Sequence, residues 1–404
     1  MFFLSYLQMF ESYWNSTILF FFPGIITYKQ FALFVALLSV CMLFMTMLKK
    51  SFCIKRASII LMVVLMAGLI MYISTSYRYR DIDDSVYKGF LLAVAGQLIP
   101  GMLTASFVVY DFKAQKQIKR YLPVIAIIFT YITLMSVIRP TSVTSGGFVD
   151  NANGMDYNNS SYLAAYCAMM FELYLINREE DYQLRFFKTK LGTMLVYLLI
   201  CVDAMVMLLA GGRGGFVTFV FFLIVTLFFI IKKAHLSKNK MGIILCGGVI
   251  CLIVGFLIIG TVANSSLTTS GFSRIIDLLS GSGDPGRAAL RKQAMEAFFT
   301  SPILGHGFGS VFFEMKIYSH NLFTDILVEA GIVGLLAMVA LLIILVKKSV
   351  SMIKESYSNL VWIYFFMSDF LGSMFSGYWL NHFMLWWILT FILLYKSKNI
   401  NTNK

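Results

Sequence analysis

Charge is what this chain has least of. Asp, Glu, Lys and Arg make up 13% of its 404 residues, whereas 59% are hydrophobic and 16% aromatic. That balance, with a mean hydropathy of +0.79, excludes a soluble globular domain. Cysteine is scarce as well. The six (Cys41, Cys53, Cys167, Cys201, Cys246, Cys251) lie in apolar runs or in one short basic loop. The long hydrophilic loop at 264–321 has none, so neither a disulfide framework nor a thiolate metal cluster is expected. No basic start is followed by a small-residue cleavage site, and no removable signal peptide is expected. No internal repeat shows at helix-pair or half-chain scale, which disfavours repeat-built transporter folds.

Long apolar runs are abundant instead. Each is sufficient to cross about 30 Å of hydrocarbon, and without water to satisfy the backbone each must be a helix. The expected spans are 30–48, 57–76, 89–110, 122–138, 160–176, 191–210, 215–231, 241–263, 322–346, 359–375 and 381–395. A weaker twelfth candidate in the first 28 residues is interrupted by Glu11, Asn15 and Pro23. The expected architecture is therefore an all-α polytopic integral membrane protein with about 11–12 transmembrane helices. Residues 1–404 form one membrane domain, and 264–321 form a loop subdomain within it.

The net charge of +13 raises the question of nucleic acid, but its distribution answers otherwise. The loops 49–56, 111–121, 177–190, 232–240 and 347–358, with the tail after 395, hold 22 of the 33 Lys and Arg. That short-loop bias marks them as cytoplasmic. Basicity then reports topology, and no nucleic-acid partner is expected.

The opposite face carries three polar features. One is "RPTSVTSGGFVDNANGMDYNN" at 139–159, another the tight turn "AGGRGG" at 210–215, and the third the loop 264–321. Within that loop, Asp284 and Pro285 can start a helix and Ser301-Pro302 stops it. Leu290, Ala294 and Phe298 form its apolar stripe, suited to the membrane or to neighbouring spans. Arg287 and Arg291, four apart, stack like charges on one face, which is unfavourable unless a polyanion lies between them; snorkelling at a lipid interface is the plainer reading. Arg213 sits among four glycines where a new helix begins. Its guanidinium can fork onto phosphate oxygens beside a helix N-terminus, or merely anchor a hairpin.

The four histidines divide. His235 lies in the basic loop "KKAHLSKNK", and His382 opens the last span among aromatics. His306 sits between turn glycines, and His320 precedes Asn321 and a long apolar run. A metal site on His306 and His320 lacks the usual ligand number and spacing; a general base at the mouth of a cavity suits His320 better. Four acidic residues fall inside spans, where charge is costly: Glu172, Asp203, Glu329 and Asp369. Glu329, about two turns past Asn321, is the one expected near the outer cavity.

In order, "LLAGGRGGF", "GRAALRKQAMEAFFTSPILGHGFG" and "SHNLFTDILVEAGIVGLL" resemble the O-antigen polymerase/ligase family over roughly 205–340. The resemblance implies a fold akin to the lipid-carrier-dependent GT-C glycosyltransferases. It implies metal-independent transfer of a glycan from undecaprenyl diphosphate, without a cofactor. Residue by residue it makes Arg213 and Arg287 diphosphate ligands, His320 the catalytic histidine, and Pro302, Gly305 and Gly307 a structural turn. Arg291 joins the diphosphate ligands on helical spacing alone. Asn321, Glu329, Asn151 and Asn153 are candidate cavity or acceptor contacts, although "DNANGMDYNN" lacks the proline of the family's Asn motif. The implied setting is the bacterial inner membrane, with the site on its outer side. Partners are an undecaprenyl-diphosphate-linked oligosaccharide, membrane lipids, and the flippase and chain-length regulator of such a pathway. A polymerase is favoured over a ligase acting on a lipid A core. A lipid-linked oligosaccharide transporter is the rival class, disfavoured because the spans are almost free of Lys and Arg.

Overall fold

The computed structural model describes residues 98–138, 157–234, 285–307, 309–314, 318–379 and 382–396. It also describes 2–10, scattered positions between 13 and 44, and the pairs 142–143 and 149–150. The expected spans at 57–76 and 241–263, the start of 89–110 (89–97), and the first part of the long loop lie outside the described residues.

The described elements are helices α1 (Phe2–Met9), α2 (Ile99–Val108), α3 (Phe112–Ile138), α4 (Tyr157–Ile176), α5 (Lys190–Ala210), α6 (Arg213–Ala234), α7 (Pro285–Thr300), α8 (Leu322–Glu355), α9 (Leu360–Phe375) and α10 (Phe383–Leu394), with shorter turns between some of them. A two-stranded antiparallel hairpin, Ser142–Val143 with Val149–Asp150, is the exception to the all-α rule. Helices α3, α5, α6 and α8 are long and apolar enough to cross a membrane. The chain is thus an all-α polytopic membrane protein. It divides into two compact units, one of residues 1–12, 28–118 and 283–404, the other of 13–27 and 119–282.

In the second unit α4 is the central helix, buried along almost its whole length. Ala164, Ala165 and Ala168 pack there against Val206, Met207 and Phe219; such small side chains let helix backbones approach closely. The intramembrane acids belong to this packing. Thr226 of α6 donates to Glu172 of α4 at 2.9 Å, and Thr130 of α3 donates to Asp203 of α5 at 3.2 Å. Ser136 and Ser160 bond across α3 and α4 at 3.0 Å. In an apolar surround each such bond spares a polar group an uncompensated burial.

In the first unit α9 and α10 pack through stacked Trp362 and Trp387, ring centroids 6.0 Å apart. Asp369 works here as a hub: its carboxylate bonds His382 Nδ1 at 3.0 Å and accepts from the Leu385 N–H at 2.6 Å. The His382 ring reaches the Ser376 carbonyl through Nε2 at 3.1 Å, so this histidine ties the α9–α10 corner. Helix α7 runs beside the first part of α8. Leu290 and Ala294 of α7 share a core with Leu322 and Val328 of α8 and with Tyr378 and Trp379. The neighbouring-span role foreseen for its apolar stripe is the one observed.

Candidate active site

Asn321 begins α8 by capping it, its side-chain oxygen accepting from the Phe323 and Thr324 N–H groups at 3.0 and 3.3 Å. Immediately before it, His320 has φ of +58°, the only non-glycine residue with positive φ among the described residues. Such a conformation costs free energy and persists only where neighbours enforce it. The enforcing group is Asp325, fully buried one turn into α8. Its Oδ1 accepts from the Ser319 N–H at 2.8 Å and from the Ser319 hydroxyl at 2.6 Å. The Tyr318 ring lies against the imidazole, centroids 4.3 Å apart.

Arg287 and Arg291 come to the same place from α7. Arg287 Nη1 donates to the Phe375 carbonyl at 2.8 Å, at the last turn of α9. With Ser319, His320 and Asn321 they line a cavity of about 400 Å³ whose remaining wall is Phe370, Leu371, Met374 and Phe375. Two guanidinium groups and an imidazole thus face an apolar surface, in space enough for a diphosphate and the start of an apolar chain.

The motif after α7 explains how these pieces are held. Helix α8 breaks at Gly331 (φ +62°, ψ −158°), which releases backbone groups on both sides of the break. The turn 302–307 satisfies them. The His306 and Gly307 N–H groups donate to the Val328 and Glu329 carbonyls at 2.9 and 2.7 Å. In return the Ile332 and Val333 N–H groups donate to the Pro302 and Ile303 carbonyls at 2.9 and 3.2 Å. His306 Nε2 bonds Thr300 Oγ1 at 2.8 Å and the Ala297 carbonyl at 2.9 Å, closing the turn onto α7.

Glu329, expected near the cavity, is not among its lining. Its carboxylate is buried and bonded to the Gly309 N–H at 2.8 Å, to Trp379 Nε1 at 2.9 Å and to the Tyr378 hydroxyl. It joins the loops that follow α7 and α9. Asn151 and Asn153 lie outside the described residues, as do Asp284 and His235. Among the described residues no three His, Cys, Asp or Glu side chains converge on a common point.

Arg213 belongs to the other unit. Gly211 ends α5 in the left-handed conformation (φ +76°), its N–H on the Met207 carbonyl. Arg213 starts α6 one residue after Gly212. The turn is pressed on α4: Ser161 Oγ donates to the Gly212 carbonyl at 2.8 Å, and a Cβ on Gly215 would lie 2.2 Å from that same Oγ. The glycines therefore serve close helix approach, and Arg213 stands half-exposed at the head of α6.

Sequence reasoning had Arg287, Arg291, His320 and Asn321, and these do converge. It missed Ser319 and the α9 wall, because apolar residues inside a span carry no mark of which face lines a cavity. Asp325 was visible as an acid near His320, but its role depends on the reverse turn at Ser319.

The cavity thus has a cationic side and an apolar wall, among the helices of a membrane protein. Residues 195–339 match the family model described as O-antigen ligase, a stretch that holds Arg213, Arg287, Arg291, His320, Asn321 and Glu329. That segment of the chain is similar to the O-antigen ligase family. No curated protein and no solved structure matches it.

Proposed function

We propose that this protein is a polysaccharide polymerase of GT-C-like fold in the bacterial inner membrane. It transfers a glycan from undecaprenyl diphosphate to a sugar hydroxyl of a second lipid-linked repeat unit on the outer face. The observation that carries this reading is the meeting of Arg287 and Arg291 with His320 in one apolar-walled cavity.

In the proposed step His320 accepts the proton of the acceptor hydroxyl as its oxygen bonds to the anomeric carbon. The bond from that carbon to the diphosphate oxygen breaks, and the diphosphate leaves with the electron pair. Arg287 and Arg291 hold the charge that develops, from fixed positions and with little reorganisation. Arg213 is a further diphosphate ligand, by its match to the family's turn arginine. The arginines take the charge-holding role that a divalent ion has in other transferases, so the reaction is proposed as metal-independent. Phe370, Met374 and Phe375 suit the first isoprene units of the carrier. The flippase and chain-length regulator of the same pathway are proposed partners.

A ligase acting on a lipid A core is the second reading, favoured by the description of the matching family model. Reconstitution with a purified undecaprenyl-diphosphate repeat unit, with and without EDTA, separates the readings. A chelator-resistant ladder of longer lipid-linked products supports the polymerase. Loss of the ladder in EDTA overturns metal independence, and transfer only to added lipid A core makes the protein a ligase.

A further inference from the structure

Three of the most exposed large apolar side chains in the first unit occur within six residues of one another. Phe299 is 69%, Ile303 66% and Leu304 69% exposed, at the end of α7 and in the turn that follows. They belong to the loop expected to lie in water, where such a cluster is unfavourable.

Their height relative to the membrane follows from α8. The turn is hydrogen-bonded to Ile332 and Val333 at the Gly331 break, ten residues into the helix from Asn321. At 1.5 Å per residue that is about 15 Å below the outer end of α8. Measured from the other side, Lys347 ends the apolar part of α8, and Gly331 lies about 24 Å from it, inside a hydrocarbon layer of about 30 Å. Helix tilt lowers the turn further. Beside it α8 presents Ile332, Val333 and Leu336, the last 64% exposed, so the apolar surface of the turn continues the lipid-facing side of the span.

Non-helical backbone at that depth is tolerated when its polar groups are satisfied by protein, and much of this turn's backbone is paired in that way. The Pro302 and Ile303 carbonyls accept from α8 across the break. Ser301 Oγ donates to the Gly305 carbonyl at 2.8 Å, and the Gly305 N–H to the Ser301 carbonyl at 3.0 Å. Thr300 Oγ1 donates to the Ala297 carbonyl at 2.6 Å, and His306 closes the remaining gap between α7 and the turn. The Pro302, Ile303 and Gly305 carbonyls are thus bonded within the protein while the Phe299, Ile303 and Leu304 side chains face out, an arrangement that suits lipid better than water. The charged pair Lys292 and Glu296 lies farther back along α7, toward the arginine end.

We infer that residues 299–304 form a re-entrant elbow seated among the acyl chains of the outer leaflet, and that α7 descends beside α8 from the cavity mouth into the membrane. The occupant of this apolar surface is lipid.

The experiment uses the unaltered chain reconstituted alone in vesicles containing a phospholipid with a photoreactive acyl chain. Peptide-resolved mass spectrometry after illumination is expected to find adducts on 299–304 at a level similar to 332–336. Adducts on 332–336 with none on 299–304 overturn the inference. In a second measurement on opened membranes, Ile303→Cys and Leu304→Cys are expected to react with a membrane-impermeant maleimide at least ~10-fold more slowly than Lys292→Cys, and to match Leu336→Cys. Reaction as fast as at Lys292→Cys overturns it. Neither readout needs catalysis, so the outcome is independent of the polymerase reading.

Discussion

Gly305 and Gly331 meet main chain to main chain. A Cβ on Gly305 would come 2.4 Å from the Glu329 carbonyl carbon, and one on Gly331 would come 2.4 Å from the Ile303 carbonyl oxygen. Both also have positive φ, +67° and +62°. The Pro-x-x-Gly-x-Gly turn and the Glu-x-Gly of α8 are therefore two halves of one joint, which sets the position of α7, and with it Arg287 and Arg291, against His320.

Substitution at either glycine should break that joint. Gly331→Ala and Gly305→Ala each add a steric clash to a backbone conformation that itself costs about 1–2 kcal/mol for an L residue. We expect thermal unfolding in detergent at a clearly lower temperature for both, whereas Gly101→Ala, whose Cβ would meet only a side chain at an ordinary 3.7 Å, should behave as the parent chain.

Arg287 and Arg291 should be separable by geometry. Arg287 is fixed to the Phe375 carbonyl and so points into the cavity at little entropic cost, while Arg291 is exposed. Loss of one preorganised donor to a developing anion costs on the order of 10²–10³ in rate. We expect a loss of that size in elongation for Arg287→Ala, a smaller one for Arg291→Ala, and little rescue by Arg287→Lys, because a point charge does not fork. Equal, mild effects for all three in the reconstituted assay would remove diphosphate binding from this face of α7.

His320 and Asp325 should act as one unit. His320→Ala is expected to lower turnover by about 10²–10⁴, the range for a lost general base. Asp325→Ala frees Ser319 and should give a loss of similar kind in kcat with KM little changed. Asp325→Asn keeps an acceptor for both Ser319 bonds and should retain most activity. The double variant His320→Ala/Asp325→Ala should be no worse than His320→Ala alone. Additive losses would mean that Asp325 supports the fold and not His320.

Glu329→Gln places an amide NH₂ where a carboxylate oxygen now accepts from Trp379 or from Gly309 and Tyr378. Two donors then face each other in a buried site, a mismatch costing about 1–3 kcal/mol. Denaturation should show that destabilisation. Inactivity at undiminished stability would instead return Glu329 to the cavity as a substrate contact.

The membrane class was legible in the residues themselves, as were four residues of α7 and the start of α8 that line one cavity. Apolar run length and the placement of Lys and Arg depend on transfer energies that act residue by residue, so they need no partner to be read. The order Arg-Gly turn, Arg-led helix and His-Asn pair is likewise a local pattern. The work of Glu329, Asp369 and Asp325 was not legible, because a buried carboxylate takes its role from whichever donors a distant segment brings to it. Tyr378 and Trp379 lie about fifty residues from Glu329 in sequence, and the Gly331 break has meaning only against the turn at 302–307. Sequence determined what must enter the membrane and which residues carry cations; tertiary structure alone decided which backbone groups complete one another, since hydrogen-bond complementarity is a property of pairs that folding brings together.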